Sequence, residues 1–236
     1  VSINPAPSTT LVTFTFTARD NNGAADLNDA TATASFSKAG EPTRTGTCFF
    51  LSQAGKERTY SCTINMQYYD DDGTWNVAVS IQDLAGLIGS SSSTFTVSLL
   101  RDISLSPLTI NFPTVAPEDV DVLSTSLTTI TNNGNFEVPT NGNVQITASD
   151  LIGETNPAET ILASNFRSAI STEITICTTG TSLSAGSGIA IPSVILSRGP
   201  PSSNTADISY CLTSVPSTLS TQFYSATGGN AWLIGI

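Results

Sequence analysis

Apolar residues stand at every second position through most of this chain, with threonine or serine between them. Val12, Phe14, Phe16 and Ala18 alternate with Thr13, Thr15 and Thr17, the pattern of a strand with one buried and one wet face. Residues 30–36 continue it as alternating Thr and Ala, and Tyr60, Cys62, Ile64, Met66 and Tyr68 share a further face. Trp75, Val77, Val79 and Ile81 predict the next inward face, and Phe95, Val97 and Leu99 close the first half. Between these runs lie Asp20-Asn21-Asn22-Gly23, a loop at 52–58 and Asp70-Asp71-Asp72-Gly73. Asp and Asn bond their own backbone in such turns, and Gly accepts the positive φ they need. About seven short strands in about a hundred residues predict an immunoglobulin-like sandwich.

The second half begins with almost no linker, which sets the expected domains at 1–99 and 100–236. Leu108, Ile110 and Phe112 alternate before Pro113; residues 127–131 lead into the turn Asn132-Asn133-Gly134-Asn135; Val144, Ile146 and Ala148 follow. Residues 150–168 are expected to hold a short helix or an irregular excursion. Strands are expected again at 174–177, 188–191, 194–196, 206–212 and 231–236. The expected fold is all-β, with two tandem Ig-like or jelly-roll-type sandwiches, mostly antiparallel.

Charge narrows the function. Eight basic residues against nineteen acidic ones give a net charge of −11, which argues against nucleic acid, since phosphate binding needs clustered Lys and Arg. Histidine is absent from the chain. Ser-His-Asp and Cys-His catalysis, His-ligated zinc and the commonest general base are excluded with it. The carboxylates cluster in turns, so no glycosidase-type pair is expected, and the chain is read as neither an enzyme nor a cofactor protein. No apolar run approaches the ~18 residues of a membrane span. Trp75 belongs to an alternating core face; Phe223, Tyr224 and Trp232 are the aromatics left over for stacking on sugars.

Ser and Thr number 67, a polar, uncharged surface that suits secreted β-proteins. The four cysteines fall into local pairs, Cys48 with Cys62 and Cys177 with Cys211, and neither has CxxC spacing. One disulfide per half implies an oxidising, extracellular address. Asp20, Asn22, Asp26 and Asp29 are the weak candidates for a structural calcium, with Asp70, Asp71, Asp72 and Asp83 as a second cluster. The EF-hand spacing is not met, and plain solvated turns are the competing reading. No Asn-x-Ser/Thr sequon occurs; O-linked sugar and a flexible turn are the two readings of Ser90-Ser91-Ser92-Ser93.

Residues 68–77, Tyr-Tyr-Asp-Asp-Asp-Gly-Thr-Trp-Asn-Val, followed by Asp83-Leu84-Ala85-Gly86, resemble the Ig-like modules of archaeal cell-surface proteins. The stretch from Phe112 to Pro117 and then Leu127-Thr128-Thr129-Ile130-Thr131-Asn132-Asn133-Gly134-Asn135 is similar to the strand-turn of secreted β-sandwich proteins, including biofilm filament subunits and surface-layer components. The resemblance implies an extracellular structural role. The expected function is a subunit of an extracellular filament, with further copies of the chain as partners, head to tail by strand addition. Val1, Ser2, Ile3 and Asn4 are the leading donor strand, with residues 232–236 the competing one. The alternative for residues 1–4 is an edge strand of their own domain. The alternative functions are an adhesin, a carbohydrate-binding module or a surface-layer lattice component.

Overall fold

A computed structural model of the chain describes residues 1–138, 144–170, 175–226 and 231–236. The fold is all-β, and every paired strand is antiparallel. The chain divides into two units, Val1–Asp102 with Asn133–Phe136, and Ile103–Asn132 with Glu137–Ile236.

Unit 1 carries six long strands: β1 Thr9–Arg19, β2 Leu27–Ser37, β3 Arg44–Ala54, β4 Glu57–Gln67, β5 Gly73–Asp83 and β6 Ile88–Val97. They join in one sheet of order β1-β4-β3-β2-β5-β6, one strand fewer than the spacing predicts. That sheet curls. Phe14 on β1 and Phe36 on β2 sit three strand spacings apart in it, about 14 Å if it were flat, yet their ring centroids are 5.6 Å apart. Curling folds one face inward, and Phe36, Cys62, Ile64, Met66 and Trp75 fill it, all but inaccessible. Trp75 donates its Nε1–H to the Asp71 carbonyl at 2.8 Å, so the buried indole leaves no orphan donor. Ser90, Ser91, Ser92 and Ser93 belong to strand β6 rather than to a turn, because they face Ser80, Val79, Ala78 and Val77 across the β5–β6 ladder. Leu99 lies past the end of β6 and is exposed.

Asn135 fastens residues 133–136 to the rest of unit 1. Its amide donates to the carbonyls of Asp70 and Ser98 at 3.1 Å each and accepts the Leu100 N–H at 2.6 Å. The neighbouring Gly134 is required by close approach, since a Cβ there would stand 2.1 Å from the Leu100 carbonyl oxygen.

Unit 2 is built from short strands: β7 Ile103–Ser106, β8 Val120–Leu123, β9 Thr128–Asn132, β10 Gln145–Thr147, β11 Leu151–Gly153, β12 Thr160–Ile161, β13 Phe166–Ile170, β14 Thr181–Ser182, β15 Ile189–Ala190, β16 Thr205–Ser214, β17 Tyr224–Ser225 and β18 Leu233–Gly235. The largest sheet runs β14-β13-β16-β9-β7 with β8 on the far part of β16, and two three-stranded sheets run β15-β10-β18 and β12-β11-β17. Residues 150–168 form the β11–β12 hairpin and one 3₁₀ turn at Ala163–Asn165, where Asp150 accepts the Ala163 N–H at 2.7 Å. The expected strand at 174–177 is corrected: Ile174 lies outside the described residues, and Ile176–Thr179 is a four-residue helix, α1. Arg167 stabilises its C-terminal end by donating to the Thr178 and Gly180 carbonyls at 3.0 and 2.9 Å. Residues 194–196 are not a strand either; Leu196 makes a single bridge to Val138. Among the described residues no helix is long and apolar enough to cross a membrane.

Candidate functional site

Two places gather polar chemistry, one in each unit. In unit 1 the turn after β1 starts with Asp20, whose carboxylate accepts the Asn22 N–H at 2.6 Å. A 3₁₀ turn at Ala24–Asp26 follows, and the Asp26 carbonyl accepts the Leu84 N–H at 2.8 Å, which draws in the end of β5. Carboxylate oxygens of Asp20, Asp26 and Asp83 then lie within 4.8 Å of one another, with the Asn22 amide 3.5 Å from Asp26. These are hard oxygens of the kind calcium takes, and they are also what exposed turns contain without an ion.

The membership differs from the sequence expectation. Asp29 is drawn away, accepting from Arg58 Nη1 at 2.7 Å and from the Tyr60 hydroxyl at 2.6 Å. Burial, reinforced by that carboxylate, pushes Tyr60 up to about 12. Asp83 takes the vacated place instead of joining Asp70, Asp71 and Asp72. Asp70 is fully buried against Arg44, and Asp71 pairs with Lys38.

The cysteines pair as Cys48–Cys62 and Cys177–Cys211. Residues 1–4 sit on their own unit. Ile3 is buried in the unit 1 core, the Val1 ammonium donates to the Thr96 carbonyl at 2.6 Å, and Ser98 N–H donates to the Val1 carbonyl at 2.9 Å. The competing donor, at 232–236, contains β18, which pairs with β10.

In unit 2 a cavity of about 630 Å³ lies between residues 107–117 and 219–226, floored by Phe166, Leu212, Ile146 and Trp232. Among the described residues its lining contains no charged side chain. Phe112 and Trp232 both pack on Phe166, with ring centroids at 5.4 and 5.2 Å, and Phe223 stands 82% exposed at the rim. At one end Glu159 organises the chain. Its Oε2 accepts from the Tyr224 hydroxyl at 2.6 Å, the Ser220 N–H at 2.7 Å, the Ser220 hydroxyl at 2.8 Å and Gln222 Nε2 at 2.9 Å. These donors, the Tyr224 hydroxyl first, hold its carboxyl down at about 2. The arrangement fixes a loop and offers no group poised to exchange a proton near neutrality.

A carboxyl held below its unfolded range adds stability above about pH 4.3, and that stability is lost as pH falls through about 2. Glu159→Gln is therefore expected to melt lower than wild type at pH 7. The gap should close between about pH 4 and pH 2, read from melting temperatures along an acid series. A gap that persisted at pH 2 would show that the side chain acts through shape rather than charge.

Sequence reasoning missed both the cavity and Glu159. Pro107, Pro113 and Pro117 were the available signal, because prolines lack the N–H that a sheet ladder requires. No protein-family model matches the chain, and no curated protein matches it.

Proposed function

We propose that this chain is a structural subunit of an extracellular surface filament whose copies join by strand addition. The observation that carries the reading is the free side of β6. Among the described residues, 88–94 pair only with β5, all seven are exposed, and none is charged or proline. Natural monomers blunt such an edge with Lys, Pro, a bulge or a covering loop; this one ends only where Val1 meets Thr96 and Ser98. Val1 alone already bonds the far end of this edge through its main chain, at Thr96 and Ser98, and an extended segment of another copy bonding residues 88–94 would make a heterologous contact, which builds a filament where its rotation does not close a ring. Phe49, Phe50 and Leu51, three consecutive exposed apolar residues on β3, supply surface for lateral contact. Two disulfides suit an oxidising location outside the cell.

Electron microscopy of the purified protein tests this directly. Wild type is expected to form filaments, and Ser91→Lys with Ser93→Lys to remain monomeric with both disulfides and its strand content intact. A wild-type chain that stayed monomeric at every concentration, or a variant that polymerised normally, would overturn the reading.

A further inference from the structure

The turn after β1 needs a glycine, and that glycine follows an asparagine. Gly23 sits at φ +136° and ψ +150°, backbone that a residue with a Cβ rarely adopts. The turn therefore places the Asn22 side-chain amide one residue before a main-chain nitrogen that no side chain of its own shields. Such an asparagine loses its amide when the following nitrogen reaches its side-chain carbonyl carbon and closes a five-membered ring. A folded chain permits the closure only where the connecting peptide is unengaged and has room to rotate.

Both conditions hold at Asn22. The residue is exposed. The polar groups of the connecting peptide are the Asn22 carbonyl and the Gly23 N–H, and among the described residues neither makes a hydrogen bond. Nothing lies within 4 Å of the place that a Cβ on Gly23 would take. The bond from the Asn22 N–H to Asp20 belongs to the preceding peptide, and the side-chain amide is held by one long contact, to Asp26 Oδ2 at 3.5 Å.

The same dipeptide recurs at Asn133–Gly134 in the opposite setting. There the Asn133 carbonyl accepts the Ala6 N–H at 3.0 Å, and the Asn133 N–H donates to the Asp102 carbonyl at 2.8 Å. Gly134 is buried, with the Leu100 carbonyl oxygen 2.1 Å from where a Cβ would stand. Rotation of that peptide would break the clasp of unit 1. The third pair, Asn141–Gly142, lies outside the described residues.

We propose that Asn22 is a site of spontaneous covalent modification in the folded chain, converted selectively to aspartate and isoaspartate. The Gly23 nitrogen gives up its proton and bonds to Asn22 Cγ, and the Cγ–Nδ2 bond breaks to release ammonia. Water then opens the resulting succinimide at either carbonyl. One opening restores the ordinary main chain as aspartate; the other leaves the main chain running through Cγ, one methylene longer. Nothing is oxidised or reduced, and solvent water is the co-reactant. Either product carries a carboxylate that is ionised at neutral pH, which takes the net charge from −11 to −12. The new charge arises beside Asp26, where the carboxylates of Asp20, Asp26 and Asp83 already converge. This chemistry does not depend on the filament reading.

The full disulfide-bonded chain, aged in mildly alkaline water enriched in heavy oxygen and then mapped by peptide mass, provides the test. Asn22 is expected to convert at least tenfold faster than Asn133, to take up one heavy oxygen per event, and to give a product that an isoaspartyl methyltransferase labels. The reference is the same chain reduced and unfolded in guanidinium chloride, where the two residues should convert at rates within about threefold of each other. Conversion of Asn133 at the pace of Asn22 in the folded chain would overturn the selectivity. A tenfold difference already present in the unfolded chain would assign it to local sequence and overturn the structural argument. Asn22 that kept its amide in the folded chain while losing it in the unfolded one would overturn the site. A product free of isoaspartate would mean direct hydrolysis and overturn the ring closure.

Discussion

Arg44→Ala is expected to destabilise unit 1 by about 3–5 kcal/mol, the cost of leaving a buried carboxylate without its partner. Asp70 is fully inaccessible. Arg44 Nε donates to both of its oxygens at 3.1 Å, and Nη2 makes a further contact. The Gln67 N–H donates to Oδ2 at 2.8 Å, so the pair is part of the turn that joins β4 to β5. Asp70→Asn placed in the Arg44→Ala background should recover part of the loss, because the neutral amide needs no counter-charge. Urea unfolding of the three proteins measures both effects. A single-variant loss below about 1 kcal/mol, the range of exposed pairs, would mean that water reaches Asp70 in solution.

Removing the unit 2 disulfide is expected to cost more than removing the one in unit 1. On the chain-entropy account Cys177–Cys211, with a separation of 34, contributes about 4 kcal/mol, and Cys48–Cys62, with a separation of 14, about 3 kcal/mol. The structure widens that gap. Cys48 and Cys62 are direct partners in the β3–β4 register, where eleven-residue strands hold the hairpin with or without the bond. Cys177 lies on α1, a single helical turn, and the bond ties it to β16 in a unit whose other strands have two to five residues. Paired Cys→Ser variants of each bridge, unfolded in urea, give the comparison. Equal losses would show that the β3–β4 hairpin depends on its bridge as much as unit 2 depends on its own.

The long strands of unit 1 were legible because each has one buried face. Val12, Phe14, Phe16 and Ala18 are less exposed than the threonines between them along the whole of β1, and period two records that burial directly. The serines of β6 carry no such record, since neither face is buried before Phe95; only the partner β5 makes them a strand. Ile110 and Phe112 show the converse. Their alternation reports half-buried side chains correctly but does not make a strand: residues 107–119 belong to no strand, and Pro107, Pro113 and Pro117 lack the N–H that a ladder requires. The acidic cluster was half legible. Asp20, Asn22 and Asp26 are local, whereas Asp83 arrives through the β2–β5 register and Asp29 leaves through a contact with β4. Such exchanges depend on pairing between distant segments, to which local spacing is blind.

Unit 1 is not a contiguous cassette. Asn135 supplies the partners of Asp70, Ser98 and Leu100, yet it is encoded more than thirty residues beyond the stretch that forms the six strands. A fragment cut at residue 102 would retain all six strands and lose that clasp, leaving two carbonyls and one amide at the exit of β6 and the β4–β5 turn without their partner. Recombination that shuffles exons or modules at the apparent midpoint would therefore transplant a frayed unit. A graft extended through Phe136 would carry the clasp, at the cost of taking β7, β8 and β9 along with it.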